Sequence, residues 1–279
     1  AEDGIRDDLV TGVQTCALPI CQSNFSFLEG ASHPEELVEE AARLGYSALA
    51  LTDECSLAGV VRAHQKAREI GLHLIVGTRV RLHGGLDLVL LALTLRGYGN
   101  LTEFVTRGRR SAEKGVYSLS LAALDGGMGD CAVVWLAGTS AQSWQGTWLA
   151  RRFPGRVWLG VALSRAVDDP LRLAGLSELA RACRLPMVAV GQVLMHNAAR
   201  RPVSDVVRAI RAGCTVAELG VTRPANGERH LRSRAELARL YPASMLAESL
   251  RIASLTRFSL DEIEYRYPRE VVEIGRAHV

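Results

Sequence analysis

The sequence has few aromatic residues, almost no lysine and no long apolar run. Aromatic residues make up 5% of its 279 positions, and the 33 basic residues include two lysines, Lys66 and Lys114. No run of about 18 apolar residues occurs, which excludes a transmembrane helix. The six cysteines contain no CxxC pair, which argues against a zinc ribbon and a disulfide framework, and such scattered thiols suit a reducing cytoplasm.

What is present is typical of a soluble globular protein. Hydrophobic residues make up 48% and charged residues 23% of the chain, and the formal net charge is only +3. This composition excludes disorder as the main state, and the length accommodates one barrel-sized domain or two small ones. The excess of arginine over lysine is better explained by a GC-rich genome than by nucleic-acid contacts. The small excess of basic over acidic residues permits binding to phosphate backbones but does not demonstrate it.

The two ends lack the patterns of folded protein. Residues 1–20 show no helical or strand periodicity, and they lack the basic start and apolar stretch of a signal peptide. Residues 1–20 and 273–279 resemble in-frame translations of sequencing-adapter DNA. On this hypothesis both ends are non-native and residues 21–272 are an internal piece of a longer gene. The alternative is a poorly ordered natural tail.

Between these ends, short apolar runs alternate with amphipathic segments. Ser32-His33-Pro34-Glu35 predicts the capping box of a helix that stops at Gly45, and Ala48–Leu51 predicts a buried strand. Further strands are predicted at 74–76, 87–93, 132–136, 157–163 and 187–190, and further helices at 57–70, 101–110, 171–183 and 203–212. This alternation predicts an α/β fold with a parallel sheet, closer to a closed barrel than to an open sheet. After Arg229 only helices are predicted, at 233–240 and 242–256.

Parallel barrels place their chemistry at the carboxyl ends of the strands. This rule selects Asp53, Glu54, Arg79, Asp87, Gly138, Gln192 and Leu194. A metal site there needs carboxylates and imidazoles. The set holds three carboxylates, no histidine and an arginine, so it predicts a poor metal cage.

Five long stretches, in one order, resemble the PHP domain (polymerase and histidinol phosphatase) of bacterial error-prone DNA polymerases. They are SNFSFLEGASHPEELVEEAARLGYSALALTDECSLAGVVRAH, GYGNLTEFVTRGRRSAEKGVYSL, SDVVRAIRAGCTVAELG, ERHLRSRAELARLYP and RFSLDEIEYRYP. The first stretch and ERHLRS favour the error-prone branch over the replicative one. The resemblance implies a distorted seven-stranded (β/α) PHP barrel, similar to a TIM barrel, at residues 21–228. A helical segment at 229–272 would lead to the polymerase core.

The resemblance also implies where a metal centre would lie. Metal-binding members of this superfamily hold about three ions on histidines and carboxylates. The corresponding positions here are Ile20, Gln22, Asp53, Glu54, Arg79, Gln192 and Leu194. Asp53 alone survives as a ligand, with Glu54 as an oxygen-donor substitute. Because Arg79 is a permanent cation that cannot ligate a metal, we expect its guanidinium to bridge Asp53 and Glu54 in a metal-free, catalytically silent barrel.

For the parent protein the resemblance implies error-prone, DNA-directed DNA polymerase activity in damage-induced translesion synthesis. Mg²⁺ would be held by aspartates downstream of Val272. This chain itself would carry no catalytic residue or cofactor and would pack against the polymerase core in the cytoplasm, away from membranes. DNA would be bound through the parent protein, and a sliding clamp and damage-response mutagenesis proteins are further expected partners. The alternative is a metal-dependent 3′–5′ exonuclease or phosphoesterase centred on Asp53 and Glu54; a stand-alone histidinol-phosphatase-like enzyme is disfavoured.

Basic and nucleophilic residues elsewhere remain open to two interpretations. The basic residues most suited to contact DNA or another domain are Arg107, Arg109, Arg110, Lys114, Arg232 and Arg234. Solvated helix faces or interdomain salt bridges are the favoured alternative. His196 is the best remaining imidazole, although a structural role is favoured, and Cys21 and Cys55 are expected to be buried thiols.

Overall fold

The computed structural model describes residues 19–125 and 128–264. Most of the two adapter-like ends, and residues 265–272 of the predicted helical segment, lie outside these ranges. Seven strands form one sheet, in chain order: β1 Ile20–Cys21, β2 Ala48–Leu51, β3 His73–Arg81, β4 Asp87–Ala92, β5 Cys131–Trp135, β6 Val157–Val161 and β7 Met187–Ala189.

Eight α-helices accompany the sheet within the described ranges. They are α1 Pro34–Arg43, α2 Val60–Ile70, α3 Leu95–Arg110, α4 Ser143–Arg152, α5 Asp169–Cys183, α6 Arg201–Ala212, α7 Arg234–Leu240 and α8 Ala243–Leu255. The predicted α/β class and the helical part after Arg229 are confirmed, whereas α4 was not predicted. Its sequence opens on polar residues, and Trp144 in its first turn is 57% exposed, so the apolar spacing that identifies a helix is weak there. No helix among the described residues is both long and apolar enough to cross a membrane.

The sheet is mixed rather than wholly parallel. Strands β1, β2 and β3 run parallel, as do β5, β6 and β7, but β4 is antiparallel to both β3 and β5. The prediction of a parallel sheet is therefore wrong at β4. Only residues 82–86 connect β3 to β4, with Gly84 and Gly85 at φ of 86° and 83°. A parallel crossover needs about a dozen residues, so this short connection makes a hairpin.

The two edges of the sheet meet after β7. The Gln22 N–H donates to the Val193 carbonyl at 2.9 Å, and the Val193 N–H donates to the Ile20 carbonyl at 2.8 Å. These bonds form an isolated parallel bridge between Cys21 and Val193. The sheet is therefore curled into the distorted seven-stranded barrel that the sequence predicts.

The start of α1 lies one residue later than predicted. His33 is the N-cap, and its N–H donates to the Glu36 carboxylate at 2.8 Å. The predicted cap, Ser32, is buried and bonds instead to the ring of His196 at 2.8 Å. Gly45 ends this helix with φ of 73°, as predicted.

Helix α3 begins at Leu95, six residues before the start of the helix predicted at 101–110. Thr94 caps this helix by accepting the Gly97 N–H at 3.2 Å. A Cβ atom at Gly97 would lie 2.0 Å from the Asp130 carbonyl oxygen. Glycine is present here because two backbone segments pack closely.

Candidate functional site

The strand ends at one mouth of the barrel bring Gln22, Arg79 and Asp87 into direct contact. The Arg79 guanidinium donates from Nε to Asp87 Oδ1 at 3.0 Å and from Nη2 to Asp87 Oδ2 at 2.6 Å. Its Nη1 donates to Gln22 Oε1 at 3.1 Å. Arg79 is 8% exposed, so this two-pronged ion pair is largely shielded from solvent.

The expected bridge from Arg79 to Asp53 and Glu54 is wrong, because the arginine reaches across the β3–β4 hairpin. Arg79 is paired with Val89 in the ladder, and Asp87 is its diagonal neighbour on the same face. Burial disfavours the charged form of Arg79, but Asp87 outweighs burial and raises the pKa of the guanidinium. Arg79 therefore stays cationic beside a carboxylate that the antiparallel strand places at this mouth.

Asp53 is held in a separate polar cage formed with Ser23 and Ser26. Its Oδ1 accepts the Ser23 N–H at 2.7 Å and the Ser26 hydroxyl at 2.7 Å, and its Oδ2 accepts the Ser23 hydroxyl at 2.8 Å. All three side chains are buried. Burial raises the pKa of Asp53, and the serine hydrogen bonds oppose that rise. We call Asp53, Ser23 and Ser26 the Asp53 cage.

Two glycines allow the chain to close around this cage. A Cβ atom at Gly59 would lie 2.9 Å from Asp53 Oδ2, and one at Gly30 would lie 1.9 Å from the Ser23 carbonyl oxygen. The loop that carries both serines therefore folds directly against the carboxylate. Sequence reasoning missed these serines, because short hydroxyl side chains in a loop carry no spacing that marks them as partners of a distant aspartate.

Glu54 points to a different set of partners. The Tyr117 hydroxyl donates to Glu54 Oε1 at 2.9 Å, and Arg81 Nη2 lies 3.7 Å from Glu54 Oε2. Arg109 donates to the backbone carbonyls of Glu54 and Cys55, each at 2.9 Å. Burial raises the pKa of the Cys55 thiol to about 11, which leaves it protonated and unreactive at neutral pH.

Gln192 and Leu194 provide backbone rather than side-chain contacts. The Gln192 carbonyl accepts from Arg229 Nε at 3.1 Å. Leu194 is 1% exposed and packs with Ala31 and Met195. At the later pair of positions that the resemblance implies for metal ligands, the side chains therefore make no hydrogen bond to another described residue.

His196 is part of a group of polar side chains in contact at the start of α1. Its Nδ1 lies 2.8 Å from the Ser32 hydroxyl and 3.8 Å from a Glu36 oxygen, and Glu36 also pairs with Arg200. Burial lowers the pKa of His196 despite the nearby carboxylate. The Ser32 hydroxyl also accepts the His196 N–H at 2.9 Å, so it acts as a packing group rather than as an exposed nucleophile.

The donor set does not fit the metal centre that the resemblance implies. Both Asp53 oxygens already accept protein hydrogen bonds, and Arg79 puts a permanent positive charge among the former ligand positions. In the part of the chain that the structure describes, no group of three or more histidine, cysteine, aspartate or glutamate side chains is arranged to hold an ion. A divalent cation there would have to displace existing bonds and overcome repulsion from the guanidinium.

The predicted DNA or domain contacts divide into inward-facing and exposed residues. Arg109 binds the backbone at residues 54 and 55, and Arg232, which is 4% exposed, donates to the Leu163 carbonyl at 2.9 Å. Arg107 lies 3.4 Å from Glu103 on the same helix, and Arg110 and Lys114 are exposed. Arg234 donates to the Gly45 carbonyl at 3.3 Å. Arg109, Arg232 and Arg234 therefore make contacts within the fold, whereas Arg107, Arg110 and Lys114 are accessible to an external partner.

Residues 21–126 match the sequence family described as the PHP domain. The chain contains a PHP domain. Over 91% of its length it is 53% identical to the error-prone DNA polymerase of Dechloromonas aromatica (strain RCB), of which it covers 25%. The corresponding protein of Methylococcus capsulatus (strain Bath) is 54% identical over 91% of the chain, which covers 24% of that relative.

The chain thus spans about a quarter of the length of the curated relatives that it matches. These matches confirm the resemblance to error-prone DNA polymerases. Among solved structures, an amidohydrolase from Chromobacterium violaceum matches with a TM-score of 0.46 and 15% identity, over 63% of this chain and 86% of the other.

Proposed function

We propose that the intact protein is an error-prone DNA-directed DNA polymerase, and that this PHP domain is a catalytically silent structural part of it. The proposal for the parent protein is supported by relatives of that name, which are 53% and 54% identical over 91% of the chain. Nucleotide addition would use Mg²⁺ bound by aspartates beyond Val272, in damage-induced translesion synthesis.

The observation that carries catalytic silence is the pairing of Arg79 with Asp87 and Gln22 beside the closed Asp53 cage. Hydrolysis of a phosphoester by a metal centre requires open coordination positions for water and substrate. Here both Asp53 oxygens already accept hydrogen bonds from Ser23 and Ser26, three bonds in all, and Arg79 supplies the local positive charge. The same contacts that replace a metal in stabilising the barrel leave no place for a metal-bound nucleophile.

The helical segment and the barrel are proposed to work as one platform, with a boundary near residue 229. Helix α8 packs on β7, and its Ser249 hydroxyl donates to the Ala189 carbonyl at 3.3 Å. The Trp158 indole N–H of β6 donates to Glu248 at 2.6 Å. These bonds tie the segment after the barrel to the sheet.

The proposed main partner is the remainder of the same polymerase chain. Helix α6 presents Val203, Val206 and Ile210 at 41%, 48% and 60% exposure, at helical spacing on one face. Apolar residues grouped in this way are typical of an interface. We also propose a cytoplasmic location, phosphate contacts from Arg107, Arg110 and Lys114, and a sliding clamp and damage-response mutagenesis proteins as partners.

The proposed function predicts that this chain alone neither extends a primer nor hydrolyses DNA. Single-stranded and primed duplex DNA carrying a label would be incubated with the chain and with Mg²⁺, Mn²⁺ or Zn²⁺, with and without nucleoside triphosphates. We expect no metal-stimulated change in strand length, whereas the intact protein extends the primer. Metal-stimulated shortening that the chelator EDTA stops and Asp53→Asn abolishes would instead support the exonuclease.

A further inference from the structure

Four arginines gather around one carboxylate beside the barrel mouth. We call Arg81, Arg208, Arg211 and Arg229 the arginine cluster. Glu29 pairs with Arg211 at 2.5 Å and lies 3.9 Å from Arg81, and it borders one cavity together with Arg208 and Arg211. Glu29 therefore has two of these arginines within ion-pair distance, and one of them, Arg81, also lies 3.7 Å from Glu54 and from Asp87.

Arg208 and Arg229 are not neutralised within the described residues. Neither has a carboxylate within ion-pair distance there, and the Nε of Arg208 is buried without a hydrogen-bond partner. Arg229 donates only from Nε, to the Gln192 carbonyl. Within the described residues the terminal N–H groups of both arginines donate to no protein acceptor, and of all their donors the Arg208 Nε is the one that is buried without a partner. A buried donor without an acceptor costs stability unless a ligand or water supplies one.

Most of the charged groups around Arg229 are also positively charged. Burial, with Arg79 and Arg208 nearby, lowers the pKa of Arg229 to about 10, and Glu29 opposes this only partly. The positive charge of Arg79 is neutralised by its ion pair with Asp87. The positive charges without a carboxylate within ion-pair distance among the described residues are thus those of Arg208 and Arg229.

A partly open cavity lies directly beside Arg208 and Arg211. A cavity of about 270 Å³ is lined by Leu28, Glu29, Arg208, Arg211, Leu219 and Thr222. This volume accommodates a phosphate group with its hydrogen-bonding shell. Guanidinium groups bind tetrahedral oxyanions through paired N–H donors.

We propose that the arginine cluster is an anion site that binds a phosphate group. Arg208, which lines the cavity, would donate to its oxygens, and the positive charge of Arg229 near Arg208 would add to the attraction, while Arg211 and Arg81 pair with the Glu29 carboxylate. The phosphate comes either from free inorganic phosphate or from the terminal phosphate of a nucleic-acid strand, which present the same chemistry. This site uses the charge of the arginines and needs no metal ion or polymerase activity.

The test compares unfolding of the chain in inorganic phosphate with unfolding in chloride at equal ionic strength. We expect phosphate to raise the denaturation midpoint in a saturable manner, because a ligand that binds the folded state stabilises it. The Arg208→Gln variant should lose this shift. It should also keep or raise the midpoint in chloride, because it removes a buried charge that has no partner.

Arg239→Gln is the matched control, since Arg239 is exposed on α7 and the substitution removes the same charge. This variant should keep the phosphate-dependent shift. An equal effect of phosphate on the wild type and on Arg208→Gln would overturn the proposal, as would the absence of any effect beyond ionic strength.

A second measurement distinguishes the two sources of the phosphate group. Fluorescence anisotropy compares binding of a 5′-phosphorylated oligonucleotide with that of the same strand lacking the phosphate. Tighter binding of the phosphorylated strand, lost in Arg208→Gln and competed by inorganic phosphate, assigns the site to strand ends. Equal binding of both strands, together with the phosphate-dependent midpoint shift, assigns it to free phosphate.

Discussion

Replacing Asp53 with alanine is expected to lower the free energy of unfolding by about 3 kcal/mol. The substitution leaves the Ser23 N–H and the Ser23 and Ser26 hydroxyls without their acceptor in a buried site. Urea denaturation followed by circular dichroism measures the change. Asp168→Ala is the control, because Asp168 is exposed and its side chain caps no helix, so it should change stability by less than about 0.5 kcal/mol.

The same site carries a pH dependence with a defined sign. Burial raises the pKa of Asp53 in the folded chain, so the folded state binds this proton more tightly than the unfolded state. The cost of ionising Asp53 is absent below its ordinary pKa and develops as pH rises through the raised folded value. The stability of the wild type relative to Asp53→Asn should therefore increase as pH falls from neutral toward the ordinary range of aspartate. The opposite slope would show that the serine hydrogen bonds outweigh burial.

Breaking the Arg79–Asp87 pair is expected to cost about 4 kcal/mol whichever partner is removed. Arg79→Ala leaves the Asp87 carboxylate with only its longer contact to Arg81, at 3.7 Å, and Asp87→Ala leaves the buried Arg79 guanidinium without its anion. The double variant should lose much less than the sum of the two single variants, because it leaves neither charge unpaired. Urea unfolding of the four proteins gives the coupling energy.

The pair Arg107–Glu103 on the surface of α3 is the reference for this cycle. Its side chains are 47% and 67% exposed and lie 3.4 Å apart. Such exposed pairs contribute about 0.5 kcal/mol or less. A coupling for Arg79–Asp87 as small as that of the reference pair would contradict the role assigned to Arg79 at the barrel mouth.

Much of the fold could be predicted because local signals agree with packing. The run Ala48–Leu51 is fully buried as β2, and the glycines at 45, 71 and 213 end three helices in left-handed conformations. The direction of β4 was missed, although the short glycine-containing connection before it excludes a crossover. Periodicity shows which face of a segment is buried and carries no information about strand direction.

The sequence indicated where the candidate site lies but not which of its side chains contact each other. Strand ends identified Asp53, Arg79 and Asp87, and the structure places all three at or beside one mouth of the barrel. The partner of Arg79 depends on the register across the β3–β4 hairpin, which fixes which carboxylate a long side chain reaches. That Gln22 accepts from Arg79 depends on barrel closure, which brings residues distant in sequence together.

Metal content shows whether side-chain contacts take the place of a metal centre at the barrel mouth. The chain would be purified without chelator, dialysed against Zn²⁺ or Mn²⁺ and then against metal-free buffer, and analysed by inductively coupled plasma mass spectrometry. We expect far less than one ion per chain, at the same level in wild type and Asp53→Asn. One or more tightly held ions per chain, lost on replacing Asp53, would contradict that expectation.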